Sequence, residues 1–355
     1  MLKSRLCIAF FAFAVGCAPA QKPLTDYVNP MLGTATLWDS VDLGFKPTKR
    51  TWGAEVFPGS SLPNAMVQVS PVTKFHSGAG YQYEDSVIYG FTHTNKGHWN
   101  LCHIPLLPVT GTPTPGDYCS PFSHERESAA PGYYQVFLDR YGVDAELSST
   151  LRCAFHKYTY PAGAAASLLA DLQRSNEHVR AWDIRKEGDN VFAGWQQTGE
   201  KMYFYAVANR PVTGIKPVVE GDREVRIVRF GEGDGALELR IGFSFVSEKN
   251  ARENLEAEML GKSFAEVRSE ATATWNDLLG RIRVEGGTER EKGLFYSSLY
   301  RSFLWPALRS DVNGEFTDVD GTVINPGFRY YTGPSYWDDY RNKLILLGML
   351  APDVA

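Results

Sequence analysis

SFAEVRSEATATWNDLLG, residues Ser263 to Gly280, is the stretch on which the fold turns. Ser263 followed three residues later by Glu266 is a capping box: each side chain hydrogen-bonds the other residue's backbone N–H and so opens a helix. Phe264, Val267, Ala271, Trp275 and Leu278 then recur at helical spacing until Gly280. Thr288-Glu289-Arg290-Glu291 repeats the signal and predicts a second helix with an apolar face of Leu294, Phe295, Leu299 and Phe303, stopped by Pro306. A third helix is expected near Trp337, where Tyr336-Trp337-Asp338-Asp339-Tyr340-Arg341 precedes the apolar run Lys343 to Leu350. That run reaches Ala355 with no cap and no partner for its apolar face, which reads as the N-terminal part of a larger protein.

Upstream of Glu248 the texture is different. Short runs rich in aromatic and β-branched residues, among them Tyr133 to Leu138, Val143 to Ser148, Met202 to Val207 and Leu237 to Phe245, are punctuated by Gly, Pro, Asn and Asp. This rhythm predicts an antiparallel two-sheet β-sandwich and argues against βαβ units. The chain therefore reads as mostly β, with a sandwich over 21–247, a linker helix over 248–280 and the start of a helical domain over 281–355.

The first twenty residues read as an address. Lys3 and Arg5 precede an apolar run, Leu6 to Val15, too short to span a bilayer comfortably, and small residues follow. Two exits compete. Ala18-Pro19-Ala20 before Gln21 fits ordinary signal-peptide cleavage, whereas Ala14-Val15-Gly16-Cys17 resembles a lipobox with a lipid anchor on Cys17. Either exit takes the mature chain out of the cytoplasm, to the periplasm or the outer cell surface.

Composition agrees. Hydrophobic residues make up 43% of the 355 and aromatic residues 13%, ample for large cores, and the length suggests about two domains. A net charge of -5 with interspersed signs leaves no footprint for nucleic acid and no polybasic membrane patch. Of five cysteines, Cys7 and Cys17 fall in the leader, so Cys102, Cys119 and Cys153 can form at most one disulfide. There is no CxxC pair, no HExxH and no GxGxxG followed by a helix.

Several segments carry a resemblance when taken in order. They are Tyr27-Val28-Asn29-Pro30-Met31-Leu32-Gly33-Thr34, Phe57-Pro58-Gly59 with Pro63 to Pro71, Gly80-Tyr81-Gln82-Tyr83, and Ile88-Tyr89-Gly90-Phe91-Thr92-His93-Thr94, then Ser310-Asp311-Val312-Asn313-Gly314 and Trp337-Asp338-Asp339-Tyr340-Arg341. From about residue 27 to its end the chain resembles glycoside hydrolase family 92, the calcium-dependent exo-acting α-mannosidases. The resemblance implies an N-terminal sandwich followed by an (α/α)6 barrel, incomplete here, and removal of terminal mannose from glycans with inversion. Two segments depart from the family pattern: Thr94-Asn95-Lys96-Gly97-His98-Trp99 and the Trp- and Lys-containing loop Leu37 to Trp52.

Inverting glycosidases hold two carboxyl groups about 6.5 to 9.5 Å apart to admit a water. The resemblance implies that both lie beyond Ala355, and no residue of this chain is assigned a catalytic role. Asp338 and Asp339 are adjacent at a helix start, so their side chains diverge. Asp311, Asp318 and Asp320 fall in a turn-rich segment where Asp serves the backbone. By resemblance Asp338 accepts hydrogen bonds from mannose hydroxyls. Read from residues alone it is a helix-start Asp paired with Arg341. Trp337 is expected beside it. Trp99 offers an indole face for a sugar, with His98 its neighbour, and a buried loop anchor is its structural alternative. His76, His93, His98 and His103 lie within a short span, but their spacing suits structural or sugar-contacting roles better than a transition-metal cluster. For calcium, which takes six to eight oxygens, the resemblance offers Asn29 as one donor; a turn residue before Pro30 is the plainer reading. The rival function is a surface glycan-binding protein without catalysis, built on Trp99 and nearby aromatics.

Overall fold

The computed structural model of the chain describes residues 22–36, 44, 56–96, 99–111, 113, 116, 118–233, 235–332 and 339–355, with the backbone alone for 95, 96, 99 and 100. Two large antiparallel sheets form the first part. One runs Ser60–Ser61, Gln68–Val72, Gly90–Thr92, Leu106–Thr110, Ala166–Ala170, Arg223–Phe230, Val212–Glu220 in spatial order. The other runs Ala181–Lys186, Val191–Gln197, Lys201–Ala208, Leu237–Ser244, Cys153–Thr159, Val143–Ser149, Tyr133–Leu138, Glu127–Ala130. In Lys201–Ala208 the alternation is complete, with Met202, Phe204, Ala206 and Ala208 buried between the sheets. Facing residues such as Phe91, Leu106, Leu168 and Val228 close the same core. The mostly β, antiparallel sandwich expected from the strand rhythm is the fold observed.

Past the sandwich the expected single linker helix is two: α1, Glu248–Glu258, and α2, Phe264–Leu279. Gly261, at φ 90°, turns the chain between them, and Ser263 restarts it with both halves of its capping box formed. Helix α1 lies on the outer face of strand Leu237–Ser244. Gly242 makes room for it, because a Cβ there would enter the carbonyl of Ala251. Helix α2 buries Phe264, Val267, Ala271, Trp275 and Leu278, the face its spacing predicts.

Helix α3, Glu289–Ser302, also carries its expected capping box, but its buried face is rotated. Tyr296, Leu299, Tyr300 and the capping Phe303 are buried, while Leu294 and Phe295 are exposed. The Tyr rings bring more area to α2 and to the sandwich edge than Leu294 does: Tyr300 packs 4.3 Å from Trp275. Helix α4, Lys343–Leu350, starts after Asn342, which adopts a left-handed φ of 62°. Its expected lack of any partner is corrected in part, since Leu347 and Leu350 join the cluster of Trp275, Leu299 and Tyr300, while Leu344, Ile345 and Met349 stay exposed. Cys102, Cys119 and Cys153 form no disulfide with one another. No helix among the described residues is long and apolar enough to cross a membrane.

Candidate active-site cleft

The excursion from Ser310 to Thr332 is held to the sandwich by one buried carboxylate. Asp311, 2% exposed, accepts hydrogen bonds from Ser244 Oγ at 2.6 Å, Asn250 Nδ2 at 2.9 Å and Asn254 Nδ2 at 2.6 Å. Beside it Arg152 donates from Nε to the Ser310 carbonyl at 2.7 Å and pairs with Glu258 at 2.6 Å. Burial pushes the Asp311 carboxyl upward, against the pull of these donors. This Asp, expected to serve a turn, instead locks strand, helix α1 and excursion together.

So anchored, the excursion faces the sandwich across a cleft of about 520 Å³ lined by Glu200, Tyr203, Phe245, Arg309, Tyr330 and Thr332 among others. Arg309 lies 3.7 Å over the Phe245 ring and pairs with Glu200 at 2.8 Å. Among the described residues its Nε and the Thr332 hydroxyl are buried with no hydrogen-bond partner, and the carboxylate of Glu200 and the ring of Tyr330 line the cleft beside the aromatic floor. That combination suits a polyhydroxylated ligand, whose hydroxyls need partners and whose CH faces need apolar contact.

A chain of hydrogen bonds leads from this cleft to the hairpin of Trp99. Thr94 donates to His103 Nδ1 at 2.9 Å, His103 Nε2 donates to Thr198 Oγ1 at 2.9 Å, and Thr198 donates to Glu177 at 2.5 Å. The directions are fixed because ionised Glu177 only accepts. The His103 ring, its Nε2 3.5 Å from the carboxylate, and then the Thr198 hydroxyl hold the Glu177 carboxyl down at about 2. Thr94 and His103 thus clamp the base of the hairpin in which Asn95–Lys96 pairs with Trp99–Asn100. The other end of the chain, Thr198, adjoins Gly199 and Glu200 of the cleft.

Trp99 accordingly stands in a strand, not in the loop expected for it. His98, Trp337 and Asp338 lie outside the described residues, as do the leader with Cys17 and, Gly44 apart, the loop Leu37 to Trp52. Asp339, next to Asp338, is buried 3.6 Å from Lys343. His93 and His103 are buried and hydrogen-bonded inside the sandwich. Asn29 is exposed; its Oδ1 accepts from Met31 N and its own N–H donates to Ser297 Oγ, both at 2.9 Å, which is a turn role. Among the described residues no group of three or more His, Cys, Asp or Glu converges, so those around Asn29 do not by themselves fit a calcium shell.

Residues 27–254 match the glycosyl hydrolase family 92 N-terminal domain and residues 250–355 match the family 92 catalytic domain. A family GH92 α-mannosidase structure from Bacteroides thetaiotaomicron is similar at 27% identity and a TM-score of 0.82, over 92% of this chain and 47% of that one. Its complex with mannoimidazole gives 27% and 0.81, over 92% and 46%. An uncharacterized secreted glycosidase of Arthroderma benhamiae is 24% identical over 81% of this chain and 42% of its own length. The chain thus spans about half the length of these relatives. With the sandwich, the helices and the cleft all falling inside the two matched domains, the chain belongs to glycosyl hydrolase family 92.

Proposed function

We propose that the complete protein is an exported exo-α-mannosidase that removes terminal mannose from glycans with inversion, and that the cleft between sandwich and excursion holds the sugar. One observation carries this reading. The wall from Arg309 to Thr332 leads in sequence straight into residues 333–338, while the facing loop Thr198 to Glu200 is tied through His103 to the Trp99 hairpin. Asp338 then accepts from mannose hydroxyls with Trp337 beside it, and Trp99, next to His98, supplies an indole face for the ring.

Displacement with inversion needs an acid for the leaving oxygen and a base for the attacking water. Glu200 is committed to Arg309, and Asp318 Oδ1 accepts from Val319 N at 2.7 Å, so neither is free to serve. We place both catalytic carboxyl groups outside residues 1–355. Calcium, which the family implies, is a requirement of the complete protein. No step is derived through it from the residues described.

The leader exports the protein, with Cys17 as a lipid anchor holding it at a membrane; Cys17→Ala should then move it from the membrane fraction to the soluble one. The central test uses the complete protein and terminal α-mannosides. Hydrolysis is expected, with β-mannose appearing first by NMR. Asp338→Ala should remove hydrogen bonds worth about 1.5 to 3 kcal/mol and lower kcat/KM at least about tenfold with Tm nearly unchanged. A lowered Tm with near-normal kcat/KM would return Asp338 to a helix-start role. Saturable mannoside binding with no turnover would support the glycan-binding reading instead.

A further inference from the structure

The segment from Lys22 to Leu32 runs beside helix α3 along the whole helix and in the same direction. Lys22 Nζ pairs with Glu289 at 3.3 Å, and Tyr27 stacks on Tyr296 with ring centres 5.6 Å apart. Farther on, the Asn29 N–H donates to Ser297 Oγ at 2.9 Å and Arg301 donates to the carbonyls of Pro30 and Leu32. Glu289, Tyr296, Ser297 and Arg301 fall at i, i+7, i+8 and i+12, so a single stripe of the helix carries these contacts. Gly293 lies on the same stripe, where a Cβ would come 3.6 Å from the Tyr27 carbonyl. The segment is a strap laid along α3.

A second helix fixes it. The Thr25 N–H donates to Asn276 Oδ1 and Asn276 Nδ2 donates back to Thr25 Oγ1, both at 3.1 Å, which ties the strap to α2. Leu24 and Tyr27 pack against the core of Trp275 and Tyr300. The exposed Lys22–Glu289 pair would hold little by itself in water, but with these contacts Lys22 is placed at the N-terminal end of α3. Cys17 lies five residues before it, and five residues reach at most about 18 Å even when fully extended. Helix α3, at 14 residues, covers about 20 Å. At its far end the Phe303 carbonyl accepts from Asn64 N at 2.7 Å, where the sandwich meets the helices, and Arg309 of the cleft follows.

We infer that the end of the molecule where α2 gives way to α3 is its lipid-facing surface. With Cys17 acylated, the short chain to the strap holds the loop 280–288 and the first turn of α3 at the bilayer, while the seam and the cleft stand at the far end of α3. The cleft is then open to a glycan in the surrounding solution. This inference rests on the proposed lipid anchor and not on the mannosidase reading. Tether length and not charge sets the contact, because exposed Arg283 and Arg290 stand here beside exposed Glu285 and Glu291.

The test puts the complete, acylated protein on vesicles of phosphatidylethanolamine and phosphatidylglycerol that carry an acceptor-labelled lipid. A donor dye is attached through Glu285→Cys in the exposed loop or, in a second protein, through Val319→Cys at the exposed tip of the excursion. Both carry Cys119→Ser, which leaves the buried Cys102 and Cys153 as the other thiols. Energy transfer to the lipid should be at least about twofold greater from position 285, given the length of α3 between the tether and the seam. Inserting about twenty Gly and Ser residues between Gln21 and Lys22 makes the tether longer than α3 and should bring the two values together. Raising the salt concentration should leave the difference in place. Equal transfer from both positions, greater transfer from 319, or a difference that survives the longer tether or vanishes with salt overturns the inference. The mass of the mature N-terminus separates it from the anchor reading. A chain that starts at Gln21 without an acyl group overturns both, whereas an acylated Cys17 with equal transfer overturns this inference alone.

Discussion

His93 and His156 share one hydrogen bond, Nε2 to Nε2 at 2.9 Å, in a dry space walled by Phe91 and Phe243, and His156 Nδ1 is 2.6 Å from the Tyr158 hydroxyl. Burial holds the His93 pKa down to about 3 and that of His156 well below the ordinary value of 6.5. Both are neutral when folded, whereas the unfolded chain protonates them below pH 6.5. Their contribution to stability is therefore complete above pH 6.5 and declines as pH falls toward about 3, by up to about 1.4 kcal/mol per pH unit for each ring. Between pH 6.5 and 5 the carboxylates add little, so Tm should fall over that window, and His93→Gln with His156→Asn should flatten the slope. An equal slope in both proteins would assign the acid sensitivity elsewhere. Gly59 of Phe57-Pro58-Gly59 shows a backbone constraint of the same local kind. A Cβ there enters the Val69 carbonyl and the Cα of Ser70, so Gly59→Ala should destabilise by about 1 to 3 kcal/mol or more in denaturant titration.

At the scale of elements, legibility followed how local the signal is. The helices at Ser263 and Thr288 were readable because a capping box and a 3.6-residue period are contained in one window. Both boxes are formed, and Ser263→Ala should lower stability by about 1 kcal/mol. The rotated face of α3 was not readable, because Tyr296 and Tyr300 look polar in a sequence while their rings fill the interface. Strands Leu106–Thr110 and Ala166–Ala170 gave no alternation: the second is buried at every position, and Pro108 in the first argues against a central strand. The cleft was the least legible part. Glu200, Arg309 and Thr332 come from separate segments, and no spacing connects them; Asp338 is singled out through resemblance and Trp99 through its indole face. The Asp311 anchor yields its own prediction. Every group around its carboxylate donates, so even the near-isosteric Asp311→Asn sets an amide NH2 against donors. It should lose on the order of 3 kcal/mol and speed hydrogen exchange across 310–332, whereas a purely local turn role would leave that exchange unchanged.

For the molecule as a whole, the question is whether sandwich and helices stand alone or together. The seam between them is polar as well as apolar. Trp275 Nε1 donates to the Ser61 carbonyl at 2.7 Å, Gln68 Nε2 to that of Leu304 at 2.8 Å and Asn64 Nδ2 to that of Pro306 at 2.8 Å. Backbone bonds from Asn64 N to Phe303 O at 2.7 Å and from Leu308 N to Asn64 O at 3.0 Å run beside them. Around this seam Phe57, Leu62 and Ala65 of the sandwich share one core with Trp275, Leu299 and Tyr300. Separating the two parts would leave those donors and carbonyls unpaired in newly exposed apolar surface, at a cost of about 1 to 3 kcal/mol for each polar group that stays buried. Neither part reaches its folded minimum without the other. The chain should therefore unfold in one transition, with hydrogen exchange across Phe264–Leu279, reporting the helices, and far-UV circular dichroism, dominated by the sheets, sharing a midpoint in urea. Gln68→Leu, which removes one bond across the seam, should lower both midpoints together. Two separated midpoints, or a shift in one probe alone, would show instead that the cleft lies between units free to part, and that its walls are set by ligand and not by the fold.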